Sequence, residues 1–180
     1  MTAFRKVAER EVYAGQRTTV VVATFEAPDG STFERDIVRH PGAVGVVPIV
    51  DEGTAALLVR QFRAPFGREV LEIPAGIRDV PGEPPEQTAR RELEEEVGMR
   101  AGRVERLCEF YNAAGGSDEI THVYMALDLD PCDAAPQGIE EAHMTVERVS
   151  LDDVPTLIAA GSLTDAKTII GLTLAREALQ

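Results

Sequence analysis

The stretch from Gly76 to Met99 constrains the fold more than any other part of this chain. Pro84 and Pro85 fix φ in a way that suits a first helical turn, nothing from Glu86 to Val97 breaks a helix, and Gly98 stands where a left-handed stop belongs. The spacing therefore predicts a helix over 84–97. On it Glu92 and Glu96 are an i, i+4 pair and Glu95 is i+3 from Glu92, so three carboxylates project from one face. Like charges placed this way destabilise an isolated helix by roughly 0.2–0.5 kcal/mol per pair. Arg90 and Arg91 lie on the wrong turn to screen the C-terminal end fully. Clustered carboxylate oxygens suit a hard divalent cation; Mg²⁺ takes one or two protein carboxylates and fills its other positions with water and substrate phosphate oxygens. On charge pattern alone, however, a run such as Glu94-Glu95-Glu96 is ordinarily a solvated helix face.

Spacing separates the two readings. Glu83 lies eight residues before Arg91, and Arg91 to Met99 read Arg-Glu-apolar-x-Glu-Glu-x-Gly-apolar. This pattern resembles the Nudix box. Two further segments, Arg60-Gln61-Phe62-Arg63 and Glu69-Val70-Leu71-Glu72-Ile73-Pro74-Ala75-Gly76, resemble the ADP-ribose pyrophosphatase branch of the Nudix hydrolases. The loop from Gly76 to Glu83 is one residue longer than the family pattern, a departure that falls before the carboxylate helix.

The resemblance implies an α/β fold: an α/β/α sandwich with a mixed sheet, preceded by an N-terminal antiparallel hairpin that packs against a second subunit to make a homodimer. It implies hydrolysis of a nucleoside diphosphate derivative, ADP-ribose to AMP and ribose 5-phosphate, with Mg²⁺ as cofactor and Mn²⁺ as substitute. The Ala75 carbonyl, Glu92 and Glu96 are then metal ligands, with Glu95 assisting. Arg63 holds a phosphate, and Arg91 paired with Glu83 orients loop and helix. Glu141 is the expected general base, with Glu140 the neighbour most easily confused with it. Read from charge alone, Glu140 and Glu141 are equally two solvated acids. Another X-linked substrate (a nucleotide sugar, a dinucleotide polyphosphate or NADH) and a non-catalytic nucleotide sensor stay open as alternatives. Ala114 stands where the family often carries a proline, which bears on the substrate subclass.

Composition sets the outer limits. The chain has 180 residues, 44% of them hydrophobic, enough for a real core, and no apolar run approaching the ~18 needed to span a membrane. Met1 to Val12 lacks the apolar segment of a signal peptide or anchor. Cys108 and Cys132 lack metal-ligand partners at short spacing and read as reduced, which fits a cytoplasm. A net charge of −13 opposes nucleic acid and acidic lipid. Arginines concentrate only at Arg60, Arg63 and Arg68, enough for one diphosphate; by themselves they are ordinary surface arginines.

Residues 1–40 read as the N-terminal extension and 41–180 as the hydrolase domain. In the extension, Val7 to Tyr13 and Arg17 to Ala27 read as strands, Pro28 to Ser31 as a turn, and Phe33 to His40 as the return, one hairpin in all. Ala43 to Val50 suits a strand buried on both faces, with Thr54 to Phe62 antiparallel to it across Asp51-Glu52-Gly53. Val70 to Ile73 delivers Pro74-Ala75-Gly76, where a bare backbone turns sharply. Val104 to Tyr111, Ile120 to Asp128 and Ile139 to Val146 read as further strands, and Asp130 to Gly138, with Pro131 and Pro136, as a loop. Val154 to Ala160, with Asp152 or Asp153 as N-cap, and Asp165 to Leu179 read as helices, the latter with Ala166, Ile169, Ile170, Thr173 and Leu174 on its core stripe. The glycines of Ala113-Ala114-Gly115-Gly116 read as a turn rather than a phosphate cradle. Ser117, Asp118 and His122 lack a nucleophile elbow and do not read as a triad.

Overall fold

In the computed structural model, which describes residues 3–16, 18–135 and 137–180, the valine-rich run after Thr18 becomes β2 (Thr19–Glu26), flanked by β1 (Arg5–Ala14) and β3 (Thr32–Arg39). The three pair antiparallel in the order β1-β2-β3. The expected single hairpin is thus a three-stranded meander, because the predicted strand over Val7 to Tyr13 adds along β2 as an equal member. Predictions falling on Met1, Thr2, Arg17 and Pro136 lie outside the described residues. Burial follows strand position: Val21, Val22 and Ala23 of the central strand are buried, whereas all ten residues of the edge strand β1 are exposed, its valines and Tyr13 included.

The chain forms two compact units. The first joins the N-terminal segment through Gly42 to Tyr111–Ile120. Its connection is stitched by backbone: the Val38 N–H donates to the Gly116 carbonyl at 2.8 Å and the Asp118 N–H to the Val38 carbonyl at 3.2 Å. The Asp118 carboxylate accepts from Arg39 and from the His40 N–H, and the Ser117 hydroxyl donates to the Val38 carbonyl. The N–H groups of Gly116 and Ser117 are both taken by the Ala113 carbonyl, which makes this segment a turn.

The second unit, Ala43–Phe110 with Thr121–Gln180, holds a seven-stranded sheet. Its strands are β4 (Ala43–Val50), β5 (Ala55–Arg63), β6 (Arg68–Glu72), β7 (Ala75–Ile77), β8 (Met99–Tyr111), β9 (Ile120–Pro131) and β10 (Thr145–Ser150). The order is β10-β5-β4-β9-β8, with β6 on β5 and β7 on β4. β4 and β9 are parallel, while β5 pairs antiparallel with β4, β6 and β10. The sheet is mixed.

Helix α1 (Pro85–Val97) lies on one face and α3 (Ala166–Ala178) on the other, with short α2 (Val154–Ala159) beside α3. Alternation along β4 assigns the layers: Val44 and Val46 pack with Ala89 and Leu93 of α1, Val47 and Ile49 with Leu172 and Ala175 of α3. Gly171 permits this approach, since a Cβ there would stand 3.0 Å from Val47 and 3.1 Å from Val123.

Several sequence expectations are corrected. The core stripe of α3 is Thr168, Gly171, Leu172 and Ala175; Ala166 and Thr173 are exposed. Two small polar or side-chain-free residues form this contact, and an apolar-only pattern overlooks them. β8 starts at Met99, directly after the Gly98 cap (φ +67°). Glu141–His143 is a 3-10 turn, and the strand begins only at Thr145. Ser150 caps the 3-10 turn Leu151–Asp153 that leads into α2, its side chain accepting from the Asp152 N–H; Asp153 occupies the expected N-cap position of α2, but its side chain makes no capping bond. The three-residue β7 was too short for any periodic signal.

Candidate active site

The site is built on α1. No side chain caps its start, where Pro85 occupies the first turn, and Gly98 closes its end by donating to the Glu94 carbonyl at 3.1 Å. Its buried stripe is Thr88, Ala89, Glu92, Leu93 and Glu96. Ala89 and Leu93 are ordinary core residues, but Glu92 and Glu96, on the same stripe, are only 8% and 6% exposed. Carboxylates are almost never buried so deeply unless paired, so the charge here needs a partner.

The loop that crosses them has no room for a side chain. A Cβ on Gly76 would stand 2.0–2.4 Å from the Glu92 carboxyl atoms, so the bare backbone rests directly against that group. One residue earlier, the Ala75 N–H donates to Glu96 Oε2 at 2.9 Å. The pairing of β7 with β4, Gly76 opposite Val44 and Ala75 opposite Gly45, holds this loop in register.

Arg91 supplies positive charge. Its Nη1 lies 2.8 Å from Glu92 and 3.1 Å from Glu95, while Nη2 is 3.6 Å from both Asp79 and Glu83. The latter distances are too long for hydrogen bonds, and Nε and Nη2 are buried without one. The Arg91–Glu83 pairing is therefore a through-space ion pair; the Glu83 carboxylate accepts its hydrogen bond from the Thr88 hydroxyl at 2.8 Å.

Burial pushes the Glu92 pKa up to about 7 against the pull of Arg91, with the charges of Glu95, Glu141 and Asp79 adding to the rise. Burial pushes Glu96 to about 8, opposed by the Ala75 N–H and reinforced by Glu92 and Glu141. Glu141 thus lies within electrostatic reach of both. Its Oε2 accepts from the N–H groups of Gln137 at 2.6 Å and Gly138 at 3.2 Å, and the Gln137 side chain donates to Glu95 at 2.7 Å. These bonds tie the loop bearing Glu141 to α1. Glu140 is exposed, whereas Glu141 is half-buried.

Arg63 and Arg68 sit directly opposite each other where β5 and β6 pair, and so share a face. Arg68 is exposed. Arg63 donates through Nε and Nη2 to the two oxygens of Glu72, both at 2.7 Å. Glu72, 3% exposed, is a residue that sequence reasoning passed over. Its position on the alternation of a short strand was the available signal. Arg60, the third member of the arginine group, pairs with Glu147 on the opposite face and is not part of the site.

These residues fit a divalent cation: two buried carboxylates, a third at i+3, and a backbone turn with no Cβ between them. Among the described residues, no three His, Cys, Asp or Glu side chains already converge as a ligand set. Glu92 is instead paired with Arg91, and Glu96 accepts from the Ala75 N–H.

The class these features define is an α/β/α protein whose helix carries a carboxylate site beneath a glycine loop. The NUDIX domain model matches residues 39–169. An ADP-ribose pyrophosphatase of Bacillus subtilis (strain 168) is 38% identical over 178 residues, covering 98% of this chain and 95% of that protein. A methanol dehydrogenase activator of Bacillus methanolicus is 35% identical, covering 93% and 90%. A solved structure described as an ADP compounds hydrolase superposes with a TM-score of 0.86 at 24% identity, covering 99% of this chain and 95% of the other; that likeness is one of fold. The chain belongs to the Nudix family.

Proposed function

We propose that this Nudix hydrolase cleaves the diphosphate of ADP-ribose to AMP and ribose 5-phosphate, using Mg²⁺, with Mn²⁺ able to replace it. The observation that carries the reading is the pair of carboxylates, Glu92 and Glu96, held in the core stripe of α1 against the side-chain-free backbone of Gly76. The name of the Bacillus subtilis relative supports the substrate.

In this reading Glu92 and Glu96, with the Ala75 carbonyl and with Glu95 assisting, would hold the cation. Bound there, it neutralises diphosphate charge and lowers the pKa of a water. Glu141 accepts the proton of the attacking water, its carboxylate aimed by the N–H groups of Gln137 and Gly138. Glu140, exposed on the same turn, is the second choice. Arg63, braced by Glu72, meets the phosphate charge, and Arg68 adds to the field from the opposite strand. Gly76 meets the diphosphate through its backbone, its missing Cβ leaving room for the Glu92 carboxyl. Arg91 offsets the mutual repulsion of Glu92 and Glu95.

The test is Glu96→Gln. Turnover of ADP-ribose with Mg²⁺, read as AMP released, drops about 100-fold or more while the fold is kept. Wild-type turnover in the variant would remove Glu96 from the site. The same assay run over nucleotide sugars, dinucleotide polyphosphates and NADH ranks the substrates, and binding without AMP release would mark a sensor instead of an enzyme.

The proposal extends to assembly and setting. A homodimer is supported by β1, whose Phe4-flanked outer strand leaves Val7, Val12 and Tyr13 41%, 48% and 59% exposed. The setting proposed is the cytoplasm, a reading supported by the free Cys108 and Cys132, which would stay reduced there. Among the described residues no helix is long and apolar enough to cross a membrane.

A further inference from the structure

Arg63 as a phosphate contact raises a physical difficulty. A guanidinium locked in a two-point bond to one carboxylate has its charge cancelled by that partner, which makes it a poor receptor for a second anion. The Glu72 carboxylate, however, is shared. Its Oε2 accepts from Arg63 Nη2 and also from the ammonium of Lys167, which reaches it from the first turn of α3. Glu72 therefore divides its charge between two cations, and Arg63 does not hold a carboxylate of its own.

Two further carboxylates, Glu96 and Asp165, act on Arg63 as well. Asp165 lies 3.1 Å from the Lys167 ammonium, but it is also the N-cap of α3: its Oδ2 accepts from the Thr168 N–H at 2.9 Å and the Thr168 hydroxyl at 2.6 Å. Its carboxylate thus serves the helix N-terminus as well as Lys167. The Thr168 hydroxyl in turn accepts from the Ile73 N–H at 2.8 Å, which fixes the first turn of α3 to the end of β6, two residues before Ala75. Lys167 is 14% exposed and Glu72 3% exposed at their side chains, so water screens this pair poorly. Arg63, by contrast, is 38% exposed and can meet a ligand.

We infer that Lys167 is a positioning residue for the diphosphate: it holds the Glu72 carboxylate that orients the Arg63 guanidinium and takes up part of that carboxylate's charge, so that Arg63 can meet an anion. The inference rests on the reading of Arg63 as a phosphate contact. Because Arg63 attracts the diphosphate before and during reaction alike, loss of Lys167 weakens binding more than chemistry.

The experiment compares full-length wild type, Lys167→Met, Lys167→Arg, Arg63→Ala and the Arg63→Ala/Lys167→Met double variant. With ADP-ribose and Mg²⁺, Lys167→Met raises KM about tenfold and changes kcat by less than about twofold, Lys167→Arg restores KM, and the double variant is no worse than Arg63→Ala. Calorimetric titration of inorganic pyrophosphate with Mg²⁺ gives the same ranking of affinities without turnover. If the wild type leaves ADP-ribose intact, the substrate reading fails, and the pyrophosphate titration still decides the role of Lys167. A Lys167→Met protein that melts earlier with unchanged KM and pyrophosphate affinity, or a double variant in which the two losses multiply, overturns the inference. Should Lys167→Met not fold, Lys167→Gln, which keeps a hydrogen-bonding head without the charge, carries the same expectations.

Discussion

In its proposed role as a metal ligand, Glu96 answers to two opposed demands. The helical stripe that buries it favours the neutral acid, whereas holding a cation requires the carboxylate. Its pKa of about 8, and that of Glu92 at about 7, are raised above the ordinary carboxylate value of 4.5. A carboxyl group whose folded pKa is raised contributes stability that is complete below the unfolded pKa and is lost as pH rises through the folded one. The metal-free protein therefore melts at lower temperature as pH climbs from about 5 to about 8, while added Mg²⁺ raises Tm more at about pH 8.5 than at about pH 6. Each tenfold change in proton affinity is worth about 1.4 kcal/mol, or about 3–6 °C in Tm for a chain of this size. Thermal melts in chelator and in Mg²⁺ across this range, with Glu96→Gln flattening the metal-free slope, check the sign. Gly76 gives a second residue-scale prediction. In Gly76→Ala the new Cβ displaces the Glu92 carboxyl, so kcat falls about 100-fold or more, with a much smaller change in Tm.

Among the elements, α1 is core and, in the proposed reading, also ligand platform, and its geometry is set from its ends. Gly98 adopts φ +67°, and a Cβ there would stand 3.0 Å from the Cys132 carbonyl. Gly98→Ala therefore costs about 1–2 kcal/mol from the left-handed backbone, with the contact adding to it, and denaturant melts measure the loss. On the opposite layer, α3 closes on the sheet through Gly171. Gly171→Val forces α3 off Val47 and Val123 and costs about 1–3 kcal/mol by overpacking. Because the first turn of α3 also holds Lys167 and Thr168, that variant raises KM as well as lowering Tm, which a steady-state assay reads directly.

For the whole molecule, the open question is what covers β1. A strand exposed at every position, with one edge unpaired, invites another strand or sheet. Light scattering at micromolar concentration gives the mass of a dimer, and Val12→Glu/Tyr13→Glu shifts it toward that of a monomer. A monomeric wild type would sink the dimer proposal.

How much of this was legible in the chain differs from part to part. The helix over 84–97, its glycine stop, the Asp51-Glu52-Gly53 turn and the buried central strand were all readable, because each is dictated by local backbone preference or by short-range periodicity. The Nudix box fell within one helix and one loop, so Glu92, Glu95 and Glu96 could be named from spacing. What spacing could not disclose was that two of those glutamates lie on the buried stripe, which depends on where α1 is set down on β4 and β9. Nor could it find Glu72 and Lys167, 95 residues apart in the chain, whose meeting needs β6 and α3 to be brought together. Periodicity reports which face of an element turns inward; only the packing of one element on another decides which charges then share a carboxylate, and with it what an arginine has left to offer a substrate.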